Sequence, residues 1–391
     1  MVKVAHLINE LQVGGAEMML YKTVTRMNTP SFSSIVISLG EKGPIGERIE
    51  QAGIKVIALN EKPDIPSPKI IWQLQNILAG EKIDILQTYL YKANFYGLIA
   101  GRLARIPVAW GLRCSYVDFR LYHRLSSLVF QLNRLLSRFP DAVVANSEAG
   151  RLYHISKGYD GRRMVVVPNG FELERFQPDE SSRTEVRDEL GVTPGSILVG
   201  LIARFDPMKD HRTFLKAAGE AASRHKQICF LLAGDGIDIS NTPLTQYIDE
   251  AGLRDKALLL GRRDDMPRIM ASLDILVSSS YSEGFPNVVG EAMACGVPCV
   301  VTDAGDSTLL VGNTGDVVPP CDAEALARGM ERLICMEPAK RRSLGEAARR
   351  RVEENFDIRA VVNKLETIYT GLVDKYNMNK APAKRVSPGI M

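Results

Sequence analysis

The sequence predicts an α/β protein made of two doubly wound parallel-sheet domains facing each other across a cleft. Three observations predict it. Strand-like apolar runs alternate with helical segments along most of the chain, which gives parallel strands with helices on both sheet faces. The alternation occurs twice, once in each half. The 391 residues suit two domains at roughly 100–200 residues each.

In the first half VKVAHLI is a strand, followed by a Gly14-Gly15 loop and the helical AEMMLYKTVTRM. SSIVISL, IKVIAL, DILQTYL, PVAWGL and DAVVANS are further strands, with helical patterns between most of them. A polar, proline-containing stretch from Phe171 to Ser182 is the expected connection between domains. The second half then runs SILVGLIARF, QICFLLAGDG, KALLLG, DILVSSS, VPCVVTD and TGDVVPP, separated by helices such as HRTFLKAAGEAASRH and AEALARGMERLICM. RSLGEAARRRVEENFDIRAVVNKLETIYTGLVDKY reads as two helices broken near Asn355-Phe356-Asp357, and residues 377–391 as a flexible, solvated tail. No short-period repeat points to a solenoid or propeller.

Hydrophobic residues make up 45% and charged residues 24%, enough for a sizeable core without disulfides or metal staples, and unlike collagen, a coiled coil or a disordered chain. No apolar run approaches the roughly 18–20 residues that span a bilayer. The N-terminus carries an early Glu10 and reads as a first strand and not a signal peptide, so the expected location is cytoplasmic. The six cysteines show no metal-ligand spacing and are expected to be reduced structural thiols, with a turn at Gly296-Val297-Pro298 separating Cys295 from Cys299. The net charge of +3 is uneven: residues 1–170 carry +8 and residues 171–391 carry −5. That split fits either different partners for the two halves or an uneven solvated surface.

The stretch DILVSSSYSEGFPNVVGEAMACGVPCVVTDAGD carries the chemistry. It reads as strand, Gly/Pro/Asn loop, helix and next strand, which places the loop at a strand's carboxyl end, where open α/β sheets bind ligands. The loop runs into a helix N-terminus, whose free N–H groups and dipole favour an anion. Gly284 permits close backbone approach. Glu283 and Glu291 frame the site. Carboxylates repel a phosphate but accept hydrogen bonds from sugar hydroxyls. Amides for a diphosphate and one carboxylate for each of two sugars make a nucleotide-sugar site; a capping glutamate and a surface glutamate are the plainer alternative.

Glu283 and Glu291, with seven residues between them inside SEGFPNVVGEAMACGVPCV, resemble the signature of the family-4 retaining glycosyltransferases of the GT-B fold. Gly14-Gly15-Ala16-Glu17, VVANSEAG, VVVPNGFE, LIARFDPMKDH, LAGDG, GRRDDMP and VVTDAGD extend the similarity over most of the chain. The resemblance implies an acceptor-binding N-terminal domain (1–170), a donor-binding C-terminal domain (171–355), and a C-terminal helix at about 356–376 that packs back on the first. It implies that Glu291 bonds the nucleotide ribose and Glu283 the donor sugar, and that the backbone of Gly284, Phe285, Pro286 and Asn287 approaches sugar and diphosphate. Arg204 and Lys209 match the family's basic pair on the diphosphate, Gly15 the loop near donor phosphate and acceptor, and Gly234 of LAGDG the nucleotide site. The implied activity moves a hexose-type sugar from a UDP- or GDP-sugar to a saccharide acceptor, lipid-linked by expectation, in surface polysaccharide, exopolysaccharide or lipopolysaccharide synthesis. Retention of configuration comes from the resemblance alone. An epimerase or hydrolase on the same architecture is the alternative; a dehydrogenase is disfavoured because no G-x-G-x-x-G follows the first strand.

The physics of these roles is coherent. Breaking a sugar–phosphate bond loads charge on the departing diphosphate, and losing one fixed donor aimed at such charge typically costs about 3–4 kcal/mol. Arg204 offers a planar fork and Lys209 a point charge. No Asp-x-Asp strand-end motif demands a metal, Asp264-Asp265 read as a helix start, and no cofactor is expected. Many relatives place a histidine after the strand matching PVAWGL, whereas this chain has Arg113, whose pKa is too high for a general base. Arg113 serves either phosphate or acceptor positioning or a structural salt bridge. His123, His154, His211 and His225 form no nucleophile arrangement, and His211 is expected to cap or pack. A front-face mechanism suits the missing base, with the leaving diphosphate oxygen taking the acceptor's proton.

Residues 120–139 form an amphipathic pattern, with Arg120, Arg124, Gln131, Arg134 and Arg138 on one stripe and Leu121, Leu125, Leu128, Leu132 and Leu135 on another. The leucines are expected to enter the domain core, while the arginine face meets an anionic membrane or a lipid-linked acceptor on the inner face of the cell membrane. Nucleic acid is not an expected partner, since no aromatic-interleaved basic surface accompanies the arginines.

Overall fold

The computed structural model describes residues 1–27, 30–61, 67–115 and 124–380. Seven strands form the first sheet: β1 (Val2–Ile8), β2 (Phe32–Ser38), β3 (Lys55–Ala58), β4 (Ile85–Tyr89), β5 (Val108–Leu112), β6 (Ala142–Ala145) and β7 (Met164–Val166). Six form the second: β8 (Ile197–Ile202), β9 (Ile228–Ala233), β10 (Ala257–Leu259), β11 (Ile275–Ser278), β12 (Cys299–Thr302) and β13 (Gly315–Val318). The spatial orders are β3-β2-β1-β4-β5-β6-β7 and β10-β9-β8-β11-β12-β13. All pairings are parallel. Strand order reverses between β1 and β4 and again between β8 and β11, and at such switch points the carboxyl ends diverge to open a crevice.

Central strands are buried on both faces because helices cover both faces: every residue of β4, β5, β6, β11 and β12 is buried. The covering helices are amphipathic. Pro68–Gly80 buries Ile70, Leu74 and Leu78 at helical spacing. His211–Arg224 starts at Asp210, whose carboxylate accepts from Thr213 N at 3.2 Å, and buries Phe214, Leu215, Ala217, Ala218 and Ala221.

The connection after β7 is anchored by its apolar residues. Phe171 and Phe176 are buried, and Phe171 forms an isolated parallel bridge with Asp357. Gly170 is required there, since a Cβ would sit 2.6 Å from Ile358 Cα. Pro338–Asn355 and Ile358–Lys380 are the two final helices. The last one sets Ile358, Val361, Val362, Leu365, Tyr369 and Val373 against Val4, Ile85, Ala109 and Val144 of the first sheet. It runs through Lys380, so the tail does not begin at 377: the first proline after Asp357 is Pro382, and nothing before it interrupts the helix.

The helix Arg124–Leu136 departs from its expected burial. Phe130, Asn133 and Ser137 face inward, at 1%, 0% and 2% exposure, while Leu128 and Leu135 stand outward at 54% and 62%. The buried stripe runs 130-133-137, so residues 128 and 135, one heptad apart, fall on the opposite side. Arg120 and Leu121 lie outside the described residues, as do the side chains of Arg124 and Leu125.

Candidate active site

The carboxyl ends of both sheets open on one cleft of about 560 Å³. Gly15 and Arg113 line it from the first lobe; Arg204, Lys209, Gly234, Glu283, Gly284, Phe285, Pro286 and Asn287 line it from the second. Ten of the eleven site residues expected from sequence are thus brought together. Glu291 is not on the wall.

The loop after β11 is held from several sides. Ser279 Oγ donates to Lys209 O at 2.7 Å, and Ser280 Oγ donates to Glu283 Oε1 at 2.7 Å. Lys209 Nζ reaches the same Glu283 oxygen at 2.5 Å. Asp306 N donates to Gly284 O at 2.9 Å, and a Cβ at Gly305, whose φ is +60°, would lie 2.2 Å from Glu283 O. Phe285 turns inward, its ring 6.2 Å from Phe171 and 5.4 Å from Phe356. Pro286 opens the helix Asn287–Ala294, and no side chain caps it. Its first amides therefore receive no acceptor from a capping side chain.

Arg204 is more than half exposed and pairs only with neighbouring Asp206, at 3.0 Å among the described residues. Gly234 has φ +147°, and a Cβ there would lie 2.2 Å from Ala203 O, so the glycine lets the ends of β8 and β9 approach beneath the cleft. Arg113 Nη1 donates to Asn169 Oδ1 at 3.1 Å, and its guanidinium lies 5.1 Å from the Tyr89 ring. It has no carboxylate partner among the described residues, so of its two expected roles the structural salt bridge is absent there.

Glu291 lies one turn into the helix Asn287–Ala294, its side chain 18% exposed, where Lys22 Nζ donates to its Oε1 at 3.0 Å. Sequence reasoning missed Lys22, although a lone lysine on the buried stripe of Gly15–Met27 was a signal. It also assigned no role to Asp306, which lies inside the quoted segment VVTDAGD. Across the cleft, the Asp306 carboxylate accepts from Glu148 N at 2.7 Å and Ala149 N at 2.9 Å, capping the first-lobe helix Glu148–Ser156. Burial raises its pKa, and the two amides oppose that rise. Asn169 Nδ2 donates to Asn287 Oδ1 at 2.8 Å, a third link between the lobes.

Among the described residues no histidine lines the cleft. His211 is buried with its ring 5.2 Å from Phe205, so it packs. His154 bonds the Tyr91 hydroxyl at 2.7 Å. His225 pairs with Glu331 at 2.8 Å beside Cys335, on the far end of the second lobe, where Arg224 already supplies a cation 3.8 Å from Glu331 Oε2. His123 lies outside the described residues.

Comparison with known proteins agrees with this architecture. Residues 3–170 match the Glycosyl transferase 4-like domain, and residues 196–336 match Glycosyl transferases group 1. The chain is 30% identical over 336 residues to the lipopolysaccharide core biosynthesis mannosyltransferase LpcC of Rhizobium leguminosarum, covering 82% of this chain and 89% of that one. It is 25% identical over 315 residues, 79% of this chain and 81% of the other, to the Escherichia coli UDP-Gal:alpha-D-GlcNAc-diphosphoundecaprenol alpha-1,3-galactosyltransferase. The crystal structure of Anabaena HepE in complex with UDP superposes with a TM-score of 0.83 at 25% identity, over 95% of this chain and 100% of that one. Two facing doubly wound parallel sheets with a cleft between them, superposing on HepE, are the GT-B fold of glycosyltransferases. The chain belongs to the group 1, family-4-like glycosyltransferases.

Proposed function

We propose that the protein transfers a hexose-type sugar from a UDP- or GDP-sugar to a lipid-linked saccharide, with retention of configuration, in surface polysaccharide or lipopolysaccharide synthesis. The observation that carries this reading is the convergence, in one cleft, of an uncapped helix N-terminus at Pro286-Asn287, the exposed Arg204 guanidinium and the Lys209–Glu283 pair. The helix amides and the two cations face where a diphosphate gains charge as it leaves. Glu283 accepts hydroxyls of the donor sugar, and Glu291 those of the ribose. Gly15 and Arg113 approach from the other lobe, where the acceptor enters. No histidine reaches the cleft from the described residues, so the departing diphosphate oxygen takes the acceptor's proton on the face it leaves. The UDP bound by HepE and the undecaprenol-linked substrate in the name of the Escherichia coli relative support the donor and acceptor classes.

The surface around Arg124–Leu136 favours a membrane-held acceptor. Leu103, Leu128, Leu135 and Phe139 are exposed at 57%, 54%, 62% and 43%, with Arg134 and Arg138 beside them. Exposed apolar side chains among cations match the surface of an anionic bilayer.

Incubation of purified protein with UDP- and GDP-sugars and diphosphate-linked saccharide acceptors tests the proposal. Acceptor-dependent release of nucleoside diphosphate and an α-linked product from an α-linked donor are expected, in the presence of a chelator as well. Epimer formation without acceptor, inversion, or metal-restored loss of activity would each refute its part of the reading.

A further inference from the structure

The helix Gly15–Met27 turns one face to the second lobe. Gly15, at its first turn, sits so that a Cβ would be 3.4 Å from Asn287 Nδ2. Lys22, two turns on, reaches Glu291 at 3.0 Å, and Arg26, a turn further, reaches Glu172 at 2.9 Å. Positions 15, 22 and 26 share one helical stripe. The Lys22 side chain is only 2% exposed, and its ammonium lies about 6 Å from the Phe171 and Phe176 rings. Taking an ammonium this far out of water is costly unless it is paired, and aromatic faces offset only part of that cost. Glu291 is the carboxylate that offsets the rest. The partner's placement is unequal: Glu291 keeps 18% exposure, and its Oε2 has no hydrogen-bond partner among the described residues.

We propose that Lys22 is a positioning residue for the donor ribose: from the first lobe it fixes Glu291 Oε1, leaving Oε2 set for a ribose hydroxyl, so that ribose binding in one lobe depends on the other lobe being docked against it. This rests on Glu291 contacting the ribose, as proposed above. A carboxylate with one oxygen fixed keeps little rotational freedom to lose on binding, and its ammonium partner crosses the interface that domain opening would separate. A lysine placed merely to fill the interface would affect every ligand alike. A lysine acting through Glu291 affects only ligands with ribose hydroxyls.

The test measures binding of UDP and GDP, and of the 2′,3′-dideoxy form of whichever binds tighter, to the full-length protein and its K22M, K22R and E291Q variants. Methionine keeps the apolar stem of lysine and removes the charge, and circular dichroism checks that each variant folds. The wild type should prefer the ribonucleotide by about 10-fold or more, the scale of a charge-assisted hydrogen bond. K22M should lose most of that preference while binding the dideoxy form as the wild type does, and K22R should restore part of it. If E291Q abolishes the preference but K22M keeps it, Lys22 has no such role. If K22M weakens both ligands equally, Lys22 is structural. If the wild type shows no preference, the ribose assignment of Glu291 fails first and the positioning role with it.

Discussion

Lys209 Nζ lies 2.5 Å from Glu283 Oε1, and the Ser280 hydroxyl donates to the same oxygen at 2.7 Å. Two side chains from different βα loops therefore orient one carboxylate at the opening of the helix Asn287–Ala294. Replacing Lys209 with alanine removes the group that orients Glu283 and, on the proposed function, a cation that faces the diphosphate. Turnover should fall about 100- to 1,000-fold, the scale of losing one preorganised charge donor. The lysine is only partly buried, so stability should change little. Steady-state kinetics beside a thermal melt checks both; near-wild-type turnover in K209A would remove the lysine from the mechanism.

Asp306 links the two lobes more directly, because one residue serves both. Its backbone holds the Gly284 carbonyl and its carboxylate caps Glu148–Ser156 through two amides. Losing a charged cap of this kind costs about 1–2 kcal/mol. That cost falls on the docked arrangement of the lobes, because each lobe retains its own core. D306A should lower kcat/KM by roughly 10-fold while shifting the melting temperature by only a few degrees. Small-angle scattering should show a more open average shape in the variant; an unchanged profile with unchanged kinetics would show that the cap is dispensable.

The fold was legible because its signal is periodic. Apolar runs such as DILQTYL and DILVSSS alternate with helical stretches, and both became strands at the centre of their sheets. That the loop after β11 lines the cleft was legible because Glu283, Gly284 and Pro286 lie at a strand's carboxyl end within one βαβ unit. Pairings between distant segments were not legible: Lys22 and Glu291 are 269 positions apart, and Glu148 and Asp306 are 158 apart. Nothing local marks which charge will meet which across a cleft. The outward turn of Leu128 and Leu135 was missed for a related reason. A stripe of leucines shows that a helix has an apolar side, but the choice of Phe130 and Asn133 as the inward face depends on neighbours elsewhere in the chain.

Three histidines buried in the neutral form make stability depend on acid. Burial pushes His6 down to about 3, and His154 and His211 to about 4. Each lies below the ordinary 6.5, so as pH drops below that value the unfolded chain takes up protons that the folded chain excludes. Their contribution is complete above about pH 6.5 and is lost on the way down to about pH 4 for His154 and His211 and about pH 3 for His6, at roughly 1.4 kcal/mol per pH unit for each histidine. The melting temperature should therefore fall steeply between pH 6.5 and pH 4.5. In H211L the apolar side chain stays against Phe205, and the slope should decrease by about one proton's worth. A slope identical to wild type would mean that His211 is protonated in the folded protein.

The outward leucines and arginines of Arg124–Leu136 lead to a prediction with two separable parts. Near an anionic bilayer each arginine contributes about 1 kcal/mol, and that contribution is screened by salt. Burying an exposed leucine in the interface contributes about 1.5–3 kcal/mol, with little dependence on salt. Vesicles with a large anionic lipid fraction should therefore pellet the protein, and R134Q/R138Q should reduce pelleting mainly at low ionic strength. L128S/L135S should reduce it at low and high salt alike, without loss of stability, because both side chains already stand in water. Unchanged pelleting in both double variants would refute this helix as a membrane contact.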